Sequence, residues 1–448
     1  MSAPRTLPIG RRLYTLGLWL AGPLVLLRLL WRSRAQPEYR LHLRERFGIY
    51  RSPSAPAASA ATAGAPVFWL HAVSVGETQA ARPLVEGLRA RFPGARIVLT
   101  HMTPTGRARA AELFAGSVES VYLPYDFPFA VRRFLAHYRP ALGLVMETEI
   151  WPNLVAQCRA AGVPLHLVNA RLSERSARRY RRFPLLAADA LRGFASVLAQ
   201  TEGDAEQLHA LGAPKVSVTG NVKFDAEPDA AQIAQGLDWR SRWPGRSVWV
   251  AASTRDGEEA LIIDALRRVT APDALLVLVP RHPQRFDDVA ALLERSGLRY
   301  VRRSDPGAIE AAASTRIGVL LGDTLGEMIA WYASSDLAFV GGSLLPFGGQ
   351  NLIEPCALAR PVLIGPHTWN FREAAEQAVA CGAALRVEDP ADLAAAVSAL
   401  LFDRERRAAM SSAALGFAQA HRGATARTLD RVLGAAGATG AIAAAGGR

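Results

Sequence analysis

Residues 67–77 read VFWLHAVSVGE, and this stretch sets the pattern for most of the chain. The run VFWLH is almost continuously apolar, and a short segment then leads into a helical pattern that begins near Glu77. An unbroken apolar run that ends in a turn is typical of a strand buried on both faces of a parallel sheet. Gly76 is expected to allow the tight turn into the helix. We therefore predict a strand, a turn and a helix, as in α/β domains.

The same pattern recurs in two successive series. Two strand–helix series indicate two doubly wound, Rossmann-like domains. Open parallel sheets bind ligands beyond the carboxyl ends of their strands, so two such domains are expected to face a cleft that holds the site. The predicted strands lie at 67–71, 96–100, 120–122, 141–146, 165–169, 196–200 and 216–219, and then at 247–252, 274–279, 300–302, 318–321, 337–341 and 362–364.

The predicted organisation has four parts. Residues 1–35 form a membrane anchor, 36–235 a first domain, 236–437 a second domain and 438–448 a disordered tail. The join is assigned to residues 225–243, which are rich in Asp, Ala and Gln. The Ala/Ser/Pro-rich residues 52–66 are predicted to be a flexible surface connection.

The predicted anchor is the apolar stretch 13–31, LYTLGLWLAGPLVLLRLLW, whose polar residues are Thr15 and Arg28. A helix of this length measures about 28 Å, close to the hydrocarbon thickness of a bilayer. Arginines on both sides leave its orientation open, while the Arg-rich stretch 32–51 favours a catalytic body on the cytoplasmic side of the inner membrane. A helix lying in the interface and a buried core helix are the alternatives to a spanning one.

The composition and net charge of the chain argue against several classes of protein. The chain has 448 residues, of which 50% are hydrophobic and 21% charged, so global disorder is excluded. Its three cysteines are far apart and odd in number, which argues against a disulfide framework and a cysteine zinc site. The net charge of +12 suits nucleic acid, an anionic membrane or a phosphorylated substrate. No zinc-finger, RRM or basic-zipper pattern occurs, so no nucleic-acid partner is predicted.

Three stretches of the first domain carry candidate catalytic side chains. Glu77 is expected at a helix N-terminus, where a charge on the helix dipole is the alternative to a general base. Glu147 and Glu149 follow a predicted strand beside Trp151, and capping acids are the alternative to carboxylates that stabilise positive charge. Lys223, in TGNVKFD, is either a ligand for phosphate or carboxylate or a solvated lysine.

The second domain carries candidates for binding a phosphate ester. Arg281 directly follows a predicted strand and could pair with phosphate. Residues 340–355, VGGSLLPFGGQNLIEP, take a strand through a glycine-rich loop into a helix, whose backbone N–H groups could approach a ligand. Glu327, in GDTLGE, either faces the ligand or caps a helix. No H-E-x-x-H, Asp-x-Asp or G-x-S-x-G pattern occurs, so neither a metal nor a cofactor is predicted.

Taken together, these motifs resemble the 3-deoxy-D-manno-octulosonic acid (Kdo) transferases of lipid A assembly. The resemblance is nearly full-length, from about residue 12 to about residue 420. The matching stretches, in chain order, are HAVSVGET, MTPTG (102–106), VYLPYD (121–126), METEIWPN, NARLS (169–173), TGNVKFD, VPRHP, GDTLGE, FVGGSL and GPHTWNF (365–371).

The resemblance implies a GT-B fold with an N-terminal membrane anchor, and an inverting, metal-independent transfer of Kdo. The donor would be CMP-Kdo and the acceptor a tetraacyldisaccharide lipid A precursor (lipid IVA), as in lipopolysaccharide core biosynthesis. By motif matching, Glu77 corresponds to the general base, and Glu147 and Lys223 match residues that stabilise the transition state. The positions that match CMP-binding residues are Pro280, Arg281, Leu325, Gly326, Glu327, Asn351, Leu352, Ile353 and Glu354.

The chain departs from the family pattern at two places. Gln350 stands where the family often has His, and Thr254–Arg255 replaces a common Thr–His. Both changes concern contacts to CMP. Two other functions stay open from the residues themselves: another GT-B enzyme that uses a UDP-sugar or acts as an epimerase, and a non-catalytic, membrane-bound glycolipid-binding protein.

Overall fold

The computed structural model describes residues 9–34, 36–51, 65–172, 174–271 and 273–435. These residues form two compact units. The first contains the chain up to Ala226 together with the residues from Gly423 onwards, and the second is Glu227–Arg422. Each unit is built around one seven-stranded sheet, in which every recorded strand pairing is parallel. The predicted α/β fold of two doubly wound units is confirmed.

The strands of the first sheet are β1 (Val67–His71), β2 (Arg96–His101), β3 (Glu119–Tyr122), β4 (Leu142–Met146), β5 (Leu165–Ala170), β6 (Ser196–Ala199) and β7 (Val216–Val218). The strands of the second sheet are β8 (Val248–Thr254), β9 (Leu275–Pro280), β10 (Tyr300–Arg302), β11 (Val319–Leu321), β12 (Leu337–Val340), β13 (Val362–Ile364) and β14 (Ala384–Arg386). The strand order is β3-β2-β1-β4-β5-β6-β7 in the first sheet and β10-β11-β9-β8-β12-β13-β14 in the second.

Helices connect the strands, and short 3-10 helices occur at Pro37–Arg40, Glu45–Phe47, Val222–Asp225 and Pro283–Arg285. The α-helices are α1 (Ile9–Arg32), α2 (Val75–Arg91), α3 (Pro104–Phe114), α4 (Pro128–Tyr138), α5 (Pro152–Ala160), α6 (Glu174–Tyr180), α7 (Pro184–Leu191), α8 (Glu202–Ala210), α9 (Ala230–Ser241), α10 (Glu258–Arg268), α11 (Phe286–Arg295), α12 (Ala308–Ala311), α13 (Met328–Ser334), α14 (Ile353–Ala357), α15 (Arg372–Ala380), α16 (Pro390–Phe402), α17 (Arg404–Ala420) and α18 (Ala424–Ala435).

The strand pattern follows from burial on both faces of each sheet. In β1, Phe68 and Leu70 pack into one apolar cluster, whereas Trp69 between them packs into another on the opposite face. Because both faces are covered, the strand is apolar at successive positions rather than at alternate ones. Only β14 was missed among the described strands; its three residues lie at one edge of the second sheet, and two of them are partly exposed.

The last helix, α18, belongs to the first unit, although the sequence-based division placed residues 236–437 together in the second domain. Leu429 and Val432 of α18 are buried in a core cluster of the first sheet. Asp225 accepts hydrogen bonds from the backbone N–H groups of Gly423 (2.6 Å) and Thr425 (2.5 Å). The apolar face of α18 therefore packs against the first sheet, whose strands lie far from α18 in the sequence.

The apolar N-terminal stretch forms α1, a helix of 24 residues. By length and composition, α1 is the one described helix that could cross a membrane, and it is compatible with the predicted anchor. Most of the low-complexity stretch 52–66, and all of the predicted tail 438–448, lie outside the described residues.

Candidate active site

Glu77 lies in the first turn of α2, just beyond the carboxyl end of β1. Ser74 caps the helix, and its hydroxyl donates to Glu77 Oε1 at 3.1 Å. Glu77 Oε2 accepts the backbone N–H of Val73 at 2.9 Å. Gly76 lies inside the helix and not in a tight turn, so the turn predicted at this glycine is wrong; a Cβ at Gly76 would meet nothing within 4 Å. Each oxygen of the Glu77 carboxylate is therefore held by a hydrogen bond, and the space beside the neighbouring Gly76 is open.

The surroundings of Glu77 favour its protonated form. Burial raises the pKa of Glu77 to about 8, and the negative charges of Glu147 and, more weakly, Glu149 add to this, against the opposing Val73 N–H and Ser74 hydroxyl. A charge at the helix N-terminus and a general base are compatible roles for Glu77, because its carboxylate takes part in the helix cap and also lies among other acids. A carboxylate with a pKa near the working pH is suited to take up a proton.

Glu147 and Lys223 form an ion pair in the same unit. Glu147 directly follows β4 with φ +58, a left-handed conformation that is uncommon outside glycine and is often found at functional sites. Lys223 Nζ donates to Glu147 Oε1 at 2.9 Å. Burial pushes the pKa of Glu147 up, but Lys223 and Arg171 outweigh it and hold the pKa below its usual value. Glu147 is therefore a stable negative charge beside Glu77.

Lys223 is placed by the residues before it. Asn169, at the end of β5 with φ +51, accepts the Val222 N–H through Oδ1 at 3.1 Å. Asn221 Oδ1 accepts the Lys223 N–H at 3.0 Å. Glu149, the third acid, accepts from the indole N–H of Trp151 at 2.8 Å. The structure therefore brings together the three predicted catalytic residues of the first unit. The first and the last of them, Glu77 and Lys223, are 146 positions apart in the sequence.

In the second unit, Arg281 and Glu354 both act electrostatically on one buried tyrosine, Tyr332. Pro280 ends β9, and the Arg281 N–H donates to the Thr254 carbonyl at 3.0 Å. Burial raises the pKa of Tyr332 well above its ordinary value; Glu354 raises it further, while Arg281 lowers it. Arg281, which follows β9, and Glu354, which lies in α14, therefore both interact electrostatically with Tyr332.

The glycine-rich loop has an internal anion that the sequence did not reveal. Glu258, fully buried at the start of α10, accepts the N–H groups of Gly342 (2.5 Å), Ser343 (2.9 Å) and Leu344 (3.0 Å). The expectation that this part of the loop offers its N–H groups to a ligand is therefore wrong, because a carboxylate of the protein already occupies them. The signal for Glu258 was weak: two adjacent acids at a helix start look like ordinary capping.

The remaining predicted CMP-binding residues lie in two segments of the second unit, 351–353 and 325–327. Asn351 Oδ1 accepts the Ile353 N–H at 3.0 Å just before α14, and Leu352 and Ile353 are buried. Gly326 has φ +83, and the adjacent Leu325 is 70% exposed. Glu327 lies just before α13, but its side chain makes no capping hydrogen bond there and pairs instead with Arg303 at 2.8 Å. Nothing in the described part of the second unit joins Glu327 to Arg281 directly.

Positive charge is concentrated around the end of β9. Burial lowers the pKa of His282, and Arg255, Arg281 and Arg285 lower it further. The Arg255 guanidinium also lies 4.8 Å from the centre of the Phe347 ring. Among the described residues, no group of three or more His, Cys, Asp or Glu side chains could hold a metal ion. The chemistry available here is that of arginine and backbone groups, which suits an anionic ligand.

Two units with open, doubly wound parallel sheets define the GT-B class of glycosyltransferase folds. The crystal structure of a glycosyltransferase from Rickettsia africae matches over 83% of this chain and 98% of its own, with a TM-score of 0.59. Its sequence identity is 12%, so this is a likeness of fold alone.

Sequence comparison defines the family within that class. The family model described as 3-deoxy-D-manno-octulosonic-acid transferase (kdotransferase) matches residues 41–226. The 3-deoxy-D-manno-octulosonic acid transferase of Bordetella pertussis is 47% identical, over 94% of this chain and 98% of its own length. The enzyme of the same name from Haemophilus influenzae is 38% identical, over 94% and 97%. The chain belongs to the Kdo transferase family, as the resemblance of its motifs indicated, and this supports Kdo transfer in lipopolysaccharide biosynthesis.

Proposed function

We propose that this protein transfers Kdo from CMP-Kdo to a tetraacyldisaccharide lipid A precursor, with inversion and without a bound metal. Family membership supports the transfer of Kdo. The observation that carries the assignment of residues is the acid cluster of the first unit, in which Glu77 has a pKa raised to about 8 by burial first and then by Glu147. We further propose that the catalytic body lies on the cytoplasmic side of the inner membrane.

In the proposed reaction, Glu77 acts as the general base. A sugar hydroxyl of the acceptor attacks C2 of Kdo, its proton passes to the Glu77 carboxylate, and the bond between C2 and the phosphate oxygen breaks. General-base assistance of this kind contributes about 10²–10⁴-fold to a rate. CMP leaves with the bonding electron pair on its phosphate. The leaving phosphate carries negative charge, which Arg281 would stabilise.

Glu147 and Lys223 are proposed to stabilise the charges that develop in this step. The transition state of glycosyl transfer has oxocarbenium character, which a fixed carboxylate favours. Glu147 is held ionised by Lys223 at 2.9 Å, so it meets that requirement. Pro280, Leu325, Gly326, Glu327, Asn351, Leu352, Ile353 and Glu354 are proposed, with Arg281, to bind CMP.

The test is product analysis with the purified full chain, CMP-Kdo and the tetraacyl precursor. Mass spectrometry should detect the precursor increased by one or more Kdo units, together with released CMP. Glu77→Gln should lower the turnover by at least about 10²-fold, because the base is removed, while CMP binding is retained. Glu86→Gln, on the exposed part of the same helix, is the matched control and should stay active.

Three results would contradict the proposal. Turnover of Glu77→Gln within a few-fold of the unchanged chain would exclude Glu77 as the base. Transfer from UDP-sugars but not from CMP-Kdo, in the same assay, would exclude the proposed donor. Binding of the lipid precursor without any CMP release would favour a non-catalytic glycolipid-binding protein.

A further inference from the structure

One face of α1 is packed on the first unit. Arg11 pairs with Asp189 at 3.6 Å, and the Thr15 hydroxyl donates to Asn153 Oδ1 at 3.1 Å. A Cβ at Gly22 would lie 3.7 Å from the Phe127 ring, so the helix approaches the body closely there. These positions are four and seven residues apart and therefore share one face of the helix. The first two-thirds of α1 are docked on protein, partly through polar groups.

The opposite face of α1 is bare and apolar. Its exposed residues recur every three or four positions and form a continuous stripe along the whole helix. No acidic residue occurs in α1, and Arg12 and Arg28 are exposed beside the stripe. The stripe consists of Ile9, Leu13, Leu16, Leu20, Leu24, Leu27 and Trp31.

The chain that follows α1 returns to the same loop that the middle of α1 contacts. The Trp19 ring lies 5.0 Å from the ring of Phe127. Arg46 is buried, its guanidinium lies 4.1 Å from the centre of the Tyr122 ring, and its carbonyl accepts the Tyr125 N–H at 2.9 Å. A spanning helix separates its ends by a hydrocarbon layer of about 30 Å. Here the start of α1, its middle and the segment beyond its end all contact one unit.

A second apolar element lies beside the start of α1. Phe183 and Leu185 precede or begin α7 and are 67% and 84% exposed. Arg11 of α1 pairs with Asp189 of α7, which joins the two helices. Four arginines of this segment are exposed, at 178, 179, 181 and 182, whereas Glu174 is its one exposed acid among the described residues. Apolar side chains flanked by arginines match the surface of a bilayer with anionic lipids.

We propose that α1 lies in the plane of the membrane interface without crossing the bilayer, and that Phe183 and Leu185 insert beside it into an anionic phospholipid leaflet. The docked face of α1 stays on the protein, its apolar stripe enters the acyl region, and the arginines meet the headgroups. This inference rests on the membrane location given under the proposed function, and it does not depend on Kdo transfer.

Flotation with vesicles tests the second contact. The full chain is mixed with vesicles of phosphatidylethanolamine and phosphatidylglycerol, and the bound fraction is measured. The double variant Phe183→Ser/Leu185→Ser should bind several-fold less than the unchanged chain. The matched control Leu237→Ser/Phe402→Ser changes exposed apolar residues of the second unit and should bind normally. Equal flotation of the two double variants would exclude Phe183 and Leu185 from the membrane contact.

Labelling with a membrane-impermeant maleimide tests whether α1 crosses the bilayer. The exposed Arg12 is replaced in the double variant Arg12→Cys/Cys381→Ser, and spheroplasts are labelled before and after the membrane is opened. Labelling only after opening is expected for a helix that stays on the cytoplasmic side. Labelling of intact spheroplasts would show a crossing and overturn the proposal. The unchanged chain, labelled at its exposed Cys381, reports the side of the catalytic body separately.

Discussion

The Glu77 carboxylate is held by the Val73 N–H and the Ser74 hydroxyl, and it is surrounded by two further acids. Part of this was predictable: a charge at the start of a helix after a strand follows from VFWLHAVSVGE. The neighbours were not, because Glu147 and Lys223 come from distant segments that only the sheet order brings beside β1. A raised pKa depends on those neighbours and on burial, which residue spacing does not report.

The raised pKa of Glu77 predicts how stability depends on pH. Burial, with Glu147 second, raises this pKa to about 8 in the folded protein. As pH rises above the ordinary value for glutamate, the unfolded chain loses this proton while the folded protein keeps it. The free energy of unfolding therefore falls with pH until about pH 8. Glu77→Gln removes this effect, so the stability of the variant relative to the unchanged chain should grow by up to about 1.4 kcal/mol per pH unit.

Urea unfolding at several values between about pH 5 and 8 measures this difference. Glu86→Gln should show no such trend, because Glu86 lies at the exposed surface of α2 beside Arg82. A stability difference between Glu77→Gln and the unchanged chain that is the same across this range would contradict the raised pKa.

At the scale of elements, the glycine-rich loop after β12 shows where sequence patterns mislead. Glycines before a short helix predicted open N–H groups, yet those of Gly342, Ser343 and Leu344 bind Glu258, which lies 84 to 86 positions earlier in the chain. The strands were predictable because both faces of each sheet are buried, which leaves an apolar run in the sequence. The loop's partner was not, because a buried acid leaves no periodic signal.

Glu258→Gln should destabilise the second unit. The amide has one acceptor oxygen in place of two, and its NH₂ group would face backbone N–H donors. Loss of charged, buried hydrogen bonds of this kind costs about 3 kcal/mol. Urea unfolding of the full chain measures the effect, and Glu405→Gln, at an exposed position of α17, is the control. An unchanged free energy of unfolding in Glu258→Gln would show that the carboxylate does not support the loop.

At the scale of the whole molecule, α18 shows that the position of a helix in the sequence does not decide which unit it packs in. Its apolar face covers the first sheet through Leu429, although the helix follows the entire second unit in the chain. Sequence reasoning grouped α18 with its neighbours in the chain because amphipathic periodicity identifies a buried face but not the surface that buries it. The hydrogen bonds from Gly423 and Thr425 to Asp225 settle the attachment.

Leu429→Ala should lower the stability of the first unit by about 3 kcal/mol, because it leaves a cavity between α18 and α2. Leu429 is 1% exposed, and a Cβ at Gly87 of α2 would lie only 2.6 Å from it, so the site has little room to spare. Thermal unfolding of the full chain measures the change. Leu415→Ala, at a more exposed position of α17 in the second unit, should cost much less. Similar losses in both variants would contradict the placement of α18.

The return of the chain at α18 has a practical consequence for dissecting this protein. The second unit is one uninterrupted piece, Glu227–Arg422, whereas the first needs segments from both sides of it. A fragment that stops at Ala226 lacks Leu429 and Val432 and exposes the apolar surface they cover. An expression plasmid for the first unit should therefore encode residues up to 226 and from 423 onwards, joined by a short flexible linker.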